Sequence, residues 1–134
     1  MYDPEELGEE FRPDVAVIEL GVNDLGQGES PGDVAASMQD MIEALRGAAP
    51  GVDVVLVHVP LLALAGVEEL NQRYDDLAAD LDTDDERVVV ALADDGFVSD
   101  PTAPASDTYD GIHPSARGEF KIAAAVADAL ADLG

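Results

Sequence analysis

The segment Asp110-Gly111-Ile112-His113-Pro114 has the residue types and spacing best suited to chemistry. It contains one of the chain's two histidines, three residues after a carboxylate. At this spacing Asp110 can accept a hydrogen bond from Nδ1 of His113, which leaves Nε2 free to take a proton from a hydroxyl nucleophile. Pro114 disfavours helical backbone at His113 and keeps it extended. The alternative is an ordinary Asp-Gly turn before a helix, with an exposed histidine.

A second polar turn, Gly21-Val22-Asn23-Asp24, follows an apolar segment near the N-terminus. The side-chain amide of Asn23 could donate a hydrogen bond to a developing oxyanion, as an enzyme that attacks carbonyl carbon requires. The alternative is an asparagine that fills a left-handed turn position beside glycine. Neither turn decides between these interpretations alone.

Three apolar segments, at residues 15–20, 52–59 and 87–93, are predicted to be strands. Helices are predicted to begin at Ser30-Pro31, to cover residues 67–81, and to begin again at Ser115. This order of elements is typical of an α/β fold with a parallel sheet covered by helices. The first strand is expected to be buried on both faces, and residues 21–28 are expected to form a flexible loop. Parallel strands end at one rim, so both polar turns are expected there.

The formal net charge of −24 arises because thirty acidic residues face only six basic ones. Such a field repels nucleic acid and anionic membrane surfaces, so neither nucleic acid nor insertion into a membrane is expected. The acidic residues are spread along the chain, which favours a hydrated surface over polyvalent metal binding. The alternative, an acidic binding module for a divalent cation, would use five aspartates near the predicted dyad: Asp94, Asp95, Asp100, Asp107 and Asp110.

The 134 residues correspond to one domain or part of one. The absence of cysteine excludes disulfides, thiolate metal sites and a cysteine nucleophile, and no pattern implies a metal or another cofactor. The acidic segment before Pro13 has no apolar core of a signal peptide and is expected to be a helix end or a loose lead-in. The compartment is not defined by the sequence, and the cytoplasm is the default. His58, near the end of the second strand, is predicted to be a hydrogen-bonded structural histidine, with a role in the site as the alternative.

Two blocks together indicate a family. Residues 13–24, Pro-Asp-Val-Ala-Val-Ile-Glu-Leu-Gly-Val-Asn-Asp, form a strand that leads into Gly-x-Asn-Asp, and residues 110–114 form Asp-x-x-His-Pro before the last helix. In these blocks, their separation and the elements between them, the sequence resembles the SGNH, or GDSL-type, hydrolase family. The resemblance implies a three-layer, flavodoxin-like parallel sheet flanked by helices. It also implies that His113 is the general base, Asp110 its orienting carboxylate and Asn23 an oxyanion-hole donor of a serine ester hydrolase.

The sequence departs from the family pattern at the nucleophile. The family's serine follows the first strand in a Gly-Asp-Ser motif, and a second-block glycine comes before the third block. Neither block occurs here, and none of the five serines has that context: Ser30, Ser37, Ser99, Ser106 and Ser115. Residues 1–134 are therefore interpreted as a single partial domain that lacks the family's N-terminal strands.

Two expectations and one alternative follow from this departure. The isolated chain should have little activity on small acyl esters. The strand at residues 15–20 should be an exposed edge that favours self-association. The alternative to an ester hydrolase is a catalytically inactive remnant that binds a partner through that edge.

Overall fold

Three parallel strands and four helices form the described part of the chain, residues 11–61 and 63–134 of a computed structural model. The strands are β1 (Val15–Ile18), β2 (Asp53–Val57) and β3 (Val88–Ala91). The helices are α1 (Val22–Gly26), α2 (Pro31–Ala48), α3 (Val67–Leu81) and α4 (Ala116–Leu133). The predicted order of elements is confirmed. The prediction for residues 1–13 falls mostly outside the described residues.

The sheet has the order β1-β2-β3, and all strands are parallel. Residues 54–57 of the central strand β2 are at most 1% exposed. Because successive side chains of a strand point to opposite faces, both faces of β2 are covered. α2 and α3 pack against each other, and α4 packs against β2 and β3. The predicted three-layer α/β fold is therefore confirmed.

Two serines start the long helices, as the sequence predicts. Ser30 precedes α2 and accepts a hydrogen bond from the backbone N–H of Asp33 at 3.1 Å. Ser115 precedes α4 and accepts one from the backbone N–H of Gly118 at 3.3 Å. Each cap satisfies a donor that the first helical turn leaves unpaired. The second cap fixes the junction between α4 and the segment that carries His113.

β1 is buried on one face only, so the expectation of burial on both faces is wrong. Ile18 is buried, and Ala16 packs against the cluster formed by Leu45, Ala49 and Val52. Val15 and Val17, on the opposite face, are 38% and 47% exposed. The physical reason is that α4 packs against β2 and β3, which leaves this face of β1 uncovered.

Residues 21–28 are not simply a loop, because residues 22–26 form the short helix α1. Leu25 is buried, and its backbone N–H donates to the carbonyl oxygen of Gly21 at 3.1 Å. Burial of this one apolar side chain orders a segment whose glycines indicated flexibility. None of the helices in the described ranges is both long and apolar enough to cross a membrane.

Candidate active site

The hydrogen bond predicted between Asp110 and His113 is present. Nδ1 of His113 lies 2.7 Å from Oδ2 of Asp110. The other carboxylate oxygen accepts hydrogen bonds from the backbone N–H groups of Ile112 at 3.0 Å and His113 at 2.8 Å. Gly111 occupies the intervening position with φ of 93°, a left-handed conformation that glycine adopts without steric cost. One turn of backbone therefore holds the imidazole against the carboxylate.

The environment of Asp110 fixes the tautomer of His113. The hydrogen bond from the His113 ring and those from the backbone of His113 and Ile112 hold the pKa of Asp110 well below its usual range. An ionised carboxylate only accepts hydrogen bonds, so Nδ1 carries the proton. No hydrogen bond links Nε2 to another described residue, and the His113 side chain is 75% exposed. Nε2 is therefore free to accept a proton from the solvent side.

Helix α3 packs against the turn that carries Asn23. Gly21 has φ of 114°, and a Cβ added there would lie 2.8 Å from Leu70 and 2.9 Å from the hydroxyl of Tyr74. That hydroxyl donates to the carbonyl oxygen of Leu20 at 3.1 Å. Burial, and to a lesser extent the charge of Asp24, raises the pKa of Tyr74, which keeps the hydroxyl protonated as a donor.

Asn23 and His113 line the same cleft, which has a volume of about 500 Å³. Asn23 is exposed, and its side-chain amide makes no hydrogen bond to another described residue. The cleft is polar on the side of β1 and α1 and apolar on the side of residues 59–61 and Ile112. Both turns therefore reach one rim, as the parallel order of the strands predicts. Their catalytic roles stay predictions.

Asn71 holds the apolar wall of the cleft. Its side chain is 4% exposed, accepts a hydrogen bond from the backbone N–H of Val59 at 2.8 Å and donates to the carbonyl oxygen of Val59 at 2.9 Å. Just after β2 ends, the side-chain amide of Asn71 thus pairs the backbone polar groups that a neighbouring strand would otherwise pair. Sequence reasoning missed Asn71 and the hydroxyl contact of Tyr74. The available signal was a polar residue on the apolar face of a helix, four residues after Val67.

None of the residues that line this cleft in the described ranges is a serine or threonine. Ser30 and Ser115 cap helices, Ser37 lies on an exposed face of α2, and Ser106 bonds Thr108. The side chains that meet here can orient a base and donate to an oxyanion, but they offer no hydroxyl nucleophile.

His58 is not part of the cleft. Nδ1 of His58 lies 2.8 Å from Asp94 and Nε2 lies 3.1 Å from Asp75, with the ring almost fully buried. The prediction of a hydrogen-bonded structural histidine is confirmed. These contacts join the end of β2 to α3 and to the segment after β3.

Four of the five aspartates of the cation-binding alternative have separate partners. Asp94 contacts His58, Asp100 bonds Thr102, Asp107 is buried against α4, and Asp110 holds His113. Within the described residues, no group of three or more histidine, aspartate or glutamate side chains is placed to hold a metal ion.

Comparisons with known proteins agree with the fold. The model of the GDSL-like lipase/acylhydrolase family matches residues 3–119. The structure is similar to a carbohydrate esterase family 3 protein from Talaromyces cellulolyticus, with a TM-score of 0.80 and 23% identity over 98% of this chain and 68% of that one. It is also similar to a mutant acetyl esterase in a crystal structure with acetate ion, with a TM-score of 0.77, 24% identity and the same coverage. A search of curated proteins gave no match.

Proposed function

Because the chain belongs to the GDSL-like lipase/acylhydrolase family, we propose that it supplies the general base, its orienting carboxylate and one oxyanion donor of an ester-hydrolysing site. The observation that carries the proposal is the placement of His113, with Nδ1 on Asp110 and the ring in the same cleft as Asn23. The two similar structures are described as esterases, and we extend ester hydrolysis to this chain.

The proposed reaction is acyl transfer to a serine. Nε2 of His113 takes the serine proton as the oxygen attacks the ester carbonyl, and Asp110 stabilises the resulting imidazolium. The carbonyl oxygen becomes an oxyanion, to which the amide of Asn23 donates a hydrogen bond. The imidazolium then protonates the departing alcohol. Water hydrolyses the acyl-serine by the same proton transfers in reverse, which restores both groups.

We propose further that the serine comes from a segment outside residues 1–134, which form part of a single domain. Two observations support this. The cleft offers no serine among the described residues that line it. Within the described residues, β1 lies at the edge of the sheet, with Val15 and Val17 exposed on one face. A strand paired with β1 would satisfy the backbone groups of that edge and could deliver a serine at the rim where β1 ends.

A fusion tests the proposal. The chain would be extended at its N-terminus by a strand followed by a Gly-Asp-Ser turn, and hydrolysis of p-nitrophenyl acetate and labelling by a fluorophosphonate would be measured. We expect turnover that falls by about 10²–10⁴-fold in His113→Ala and by about 10²–10³-fold in Asn23→Ala. A fusion with the added serine replaced by alanine is the matched control.

The isolated chain gives the complementary result. We expect little hydrolysis and no covalent label. Rapid hydrolysis lost in His113→Ala, together with labelling, would show that a serine of this chain is the nucleophile. A folded fusion whose serine-dependent hydrolysis survives in His113→Ala would refute the assignment of the general base.

The open edge also supports a second candidate function, association between copies of this chain as a non-catalytic module. Val15, Val17 and Leu20 are 38–47% exposed. A net charge of −24 on each copy opposes association, so dimers are expected only at high salt. Sedimentation analysis of the wild type and of Val17→Lys tests this. Monomers at all salt concentrations would exclude it.

A further inference from the structure

Asp107 is a fully buried carboxylate that the proposed reaction does not use. Its side chain accepts hydrogen bonds from Nζ of Lys121 at 2.6 Å, from the backbone N–H of Val98 at 2.8 Å and from Nε of Arg117 at 3.0 Å. Burial acts to raise the pKa of Asp107, but the hydrogen bonds from Lys121 and Val98 outweigh it and the pKa is lowered. Two of the chain's six basic residues, including its only lysine, therefore serve one carboxylate.

The backbone of Asp107 connects the same elements. Its N–H donates to the carbonyl oxygen of Val98 at 2.8 Å, and its carbonyl oxygen accepts from the N–H of Ser115, the cap of α4, also at 2.8 Å. Thr108 and Pro114 form an antiparallel bridge. The segment 108–114, which carries the dyad, is thus a closed loop with both ends adjoining Asp107.

Gly118 shows how closely this loop approaches α4. A Cβ added at Gly118 would meet the carbonyl oxygen of Asp107 and would lie 3.2 Å from the ring of Phe97. Only glycine permits this approach. The contact is independent of charge, so it offers a second way to move the loop.

We propose that Asp107 is a positioning residue, whose ion pairs with Arg117 and Lys121 fix the 108–114 loop on α4 and so fix where His113 presents Nε2 to the cleft. The inference rests on the proposed function, since it assigns Asp107 to the placement of the general base. Asp107 affects the general base only by fixing the position of the loop, and it does not contact the cleft itself. Without the carboxylate, the loop has its backbone bonds but no ionic attachment to α4.

The test must separate positioning from support of the fold in general. Asp82 provides the matched control, because it accepts hydrogen bonds from Nε of Arg87 and the backbone N–H of Val88, both at 2.8 Å, just before β3 begins. Asp107→Asn and Asp82→Asn each remove one carboxylate from one arginine and one backbone amide, and Asp107→Asn also removes it from Lys121. Strand β3 separates Asp82 from the rim that carries the dyad.

The first measurement is the ¹⁵N spectrum of the His113 ring in the full chain. Because Asp110 moves with the loop, we expect the tautomer protonated at Nδ1 in the wild type and in every variant. We expect sharp ring resonances in the wild type and in Asp82→Asn. We expect shifted or broadened resonances, caused by movement of the loop, in Asp107→Asn, Lys121→Met and Gly118→Ala, and recovery in Lys121→Arg. If Asp107→Asn does not fold, the Lys121 and Gly118 variants decide.

The second measurement uses the serine-bearing fusion. A displacement of the base by about 1 Å is expected to lower kcat by about 10²-fold in Asp107→Asn, with KM little changed. An unchanged His113 spectrum in all three loop variants would overturn the inference, as would equal effects of Asp82→Asn. The spectrum requires no turnover, so a failure of the proposed function, seen as hydrolysis independent of His113, is distinguishable from a failure of positioning.

Discussion

The replacement of Asn71 by alanine offers the sharpest test of how the cleft wall is held. Asn71 is the hydrogen-bond partner of both backbone polar groups of Val59, and Val59 is only 3% exposed. The alanine variant leaves a buried N–H and a buried carbonyl without partners, at about 1–3 kcal/mol each. Alanine regains about 0.6 kcal/mol of helix propensity. The net loss of unfolding free energy is therefore expected to be about 1.5–5 kcal/mol.

Urea unfolding followed by circular dichroism at constant salt measures this loss. Gln72→Ala is the matched control, because Gln72 is the next residue of α3, is exposed, and its side chain hydrogen-bonds only Asp76, at 3.4 Å, among the described residues. We expect the control to change the free energy by less than about 0.5 kcal/mol. A loss in Asn71→Ala within about 0.5 kcal/mol of the control would show that the groups of Val59 find other partners, and the account of the wall would be wrong.

Three further outcomes are expected. Tyr74→Phe removes the donor to the carbonyl oxygen of Leu20 and should cost about 1 kcal/mol, a fall in Tm of about 3–4 °C by calorimetry; an unchanged Tm would contradict that bond. The Tm of the wild type should rise from low to molar sodium chloride, because six basic residues cannot pair thirty acidic ones; a falling Tm would contradict this. The pKa of Asp107 is lower in the folded chain, so its carboxylate adds stability above about pH 4 that is lost as the pH falls further. The difference in unfolding free energy between the wild type and Asp107→Asn, measured in high salt, should therefore shrink below about pH 4, and a constant difference would refute this.

The contact between Asp110 and His113 could be predicted from sequence because it is local. Three residues separate the groups, and Gly111 and Pro114 restrict the backbone around them. The meeting of this turn with Asn23 could also be predicted, since parallel strands end at a common rim. The geometry of the candidate site was therefore accessible from two short segments and the order of the elements.

The contacts that hold the site in place could not be predicted from the sequence in the same way. Asn71 reaches Val59 across 12 residues, and Lys121 reaches Asp107 across 14. Such contacts depend on how a helix docks and rotates on the sheet, which periodicity indicates only to within a face. The exposure of Val17 could not be predicted for a different reason. An apolar strand has the same sequence pattern whether or not a helix covers it.

The buried polar groups lie where a site of fixed geometry would need support. The polar or charged side chains that are buried in the described ranges all lie at or behind the rim that carries the cleft: His58, Asn71, Asp107 and Thr108. Each is hydrogen-bonded. Replacing a buried ion pair by apolar side chains is often neutral or stabilising, so stability alone gives little reason for the contacts of Asp107 with Lys121 and Arg117. A constellation that must hold one geometry requires such supports, whereas a module that binds only through β1 would not need them.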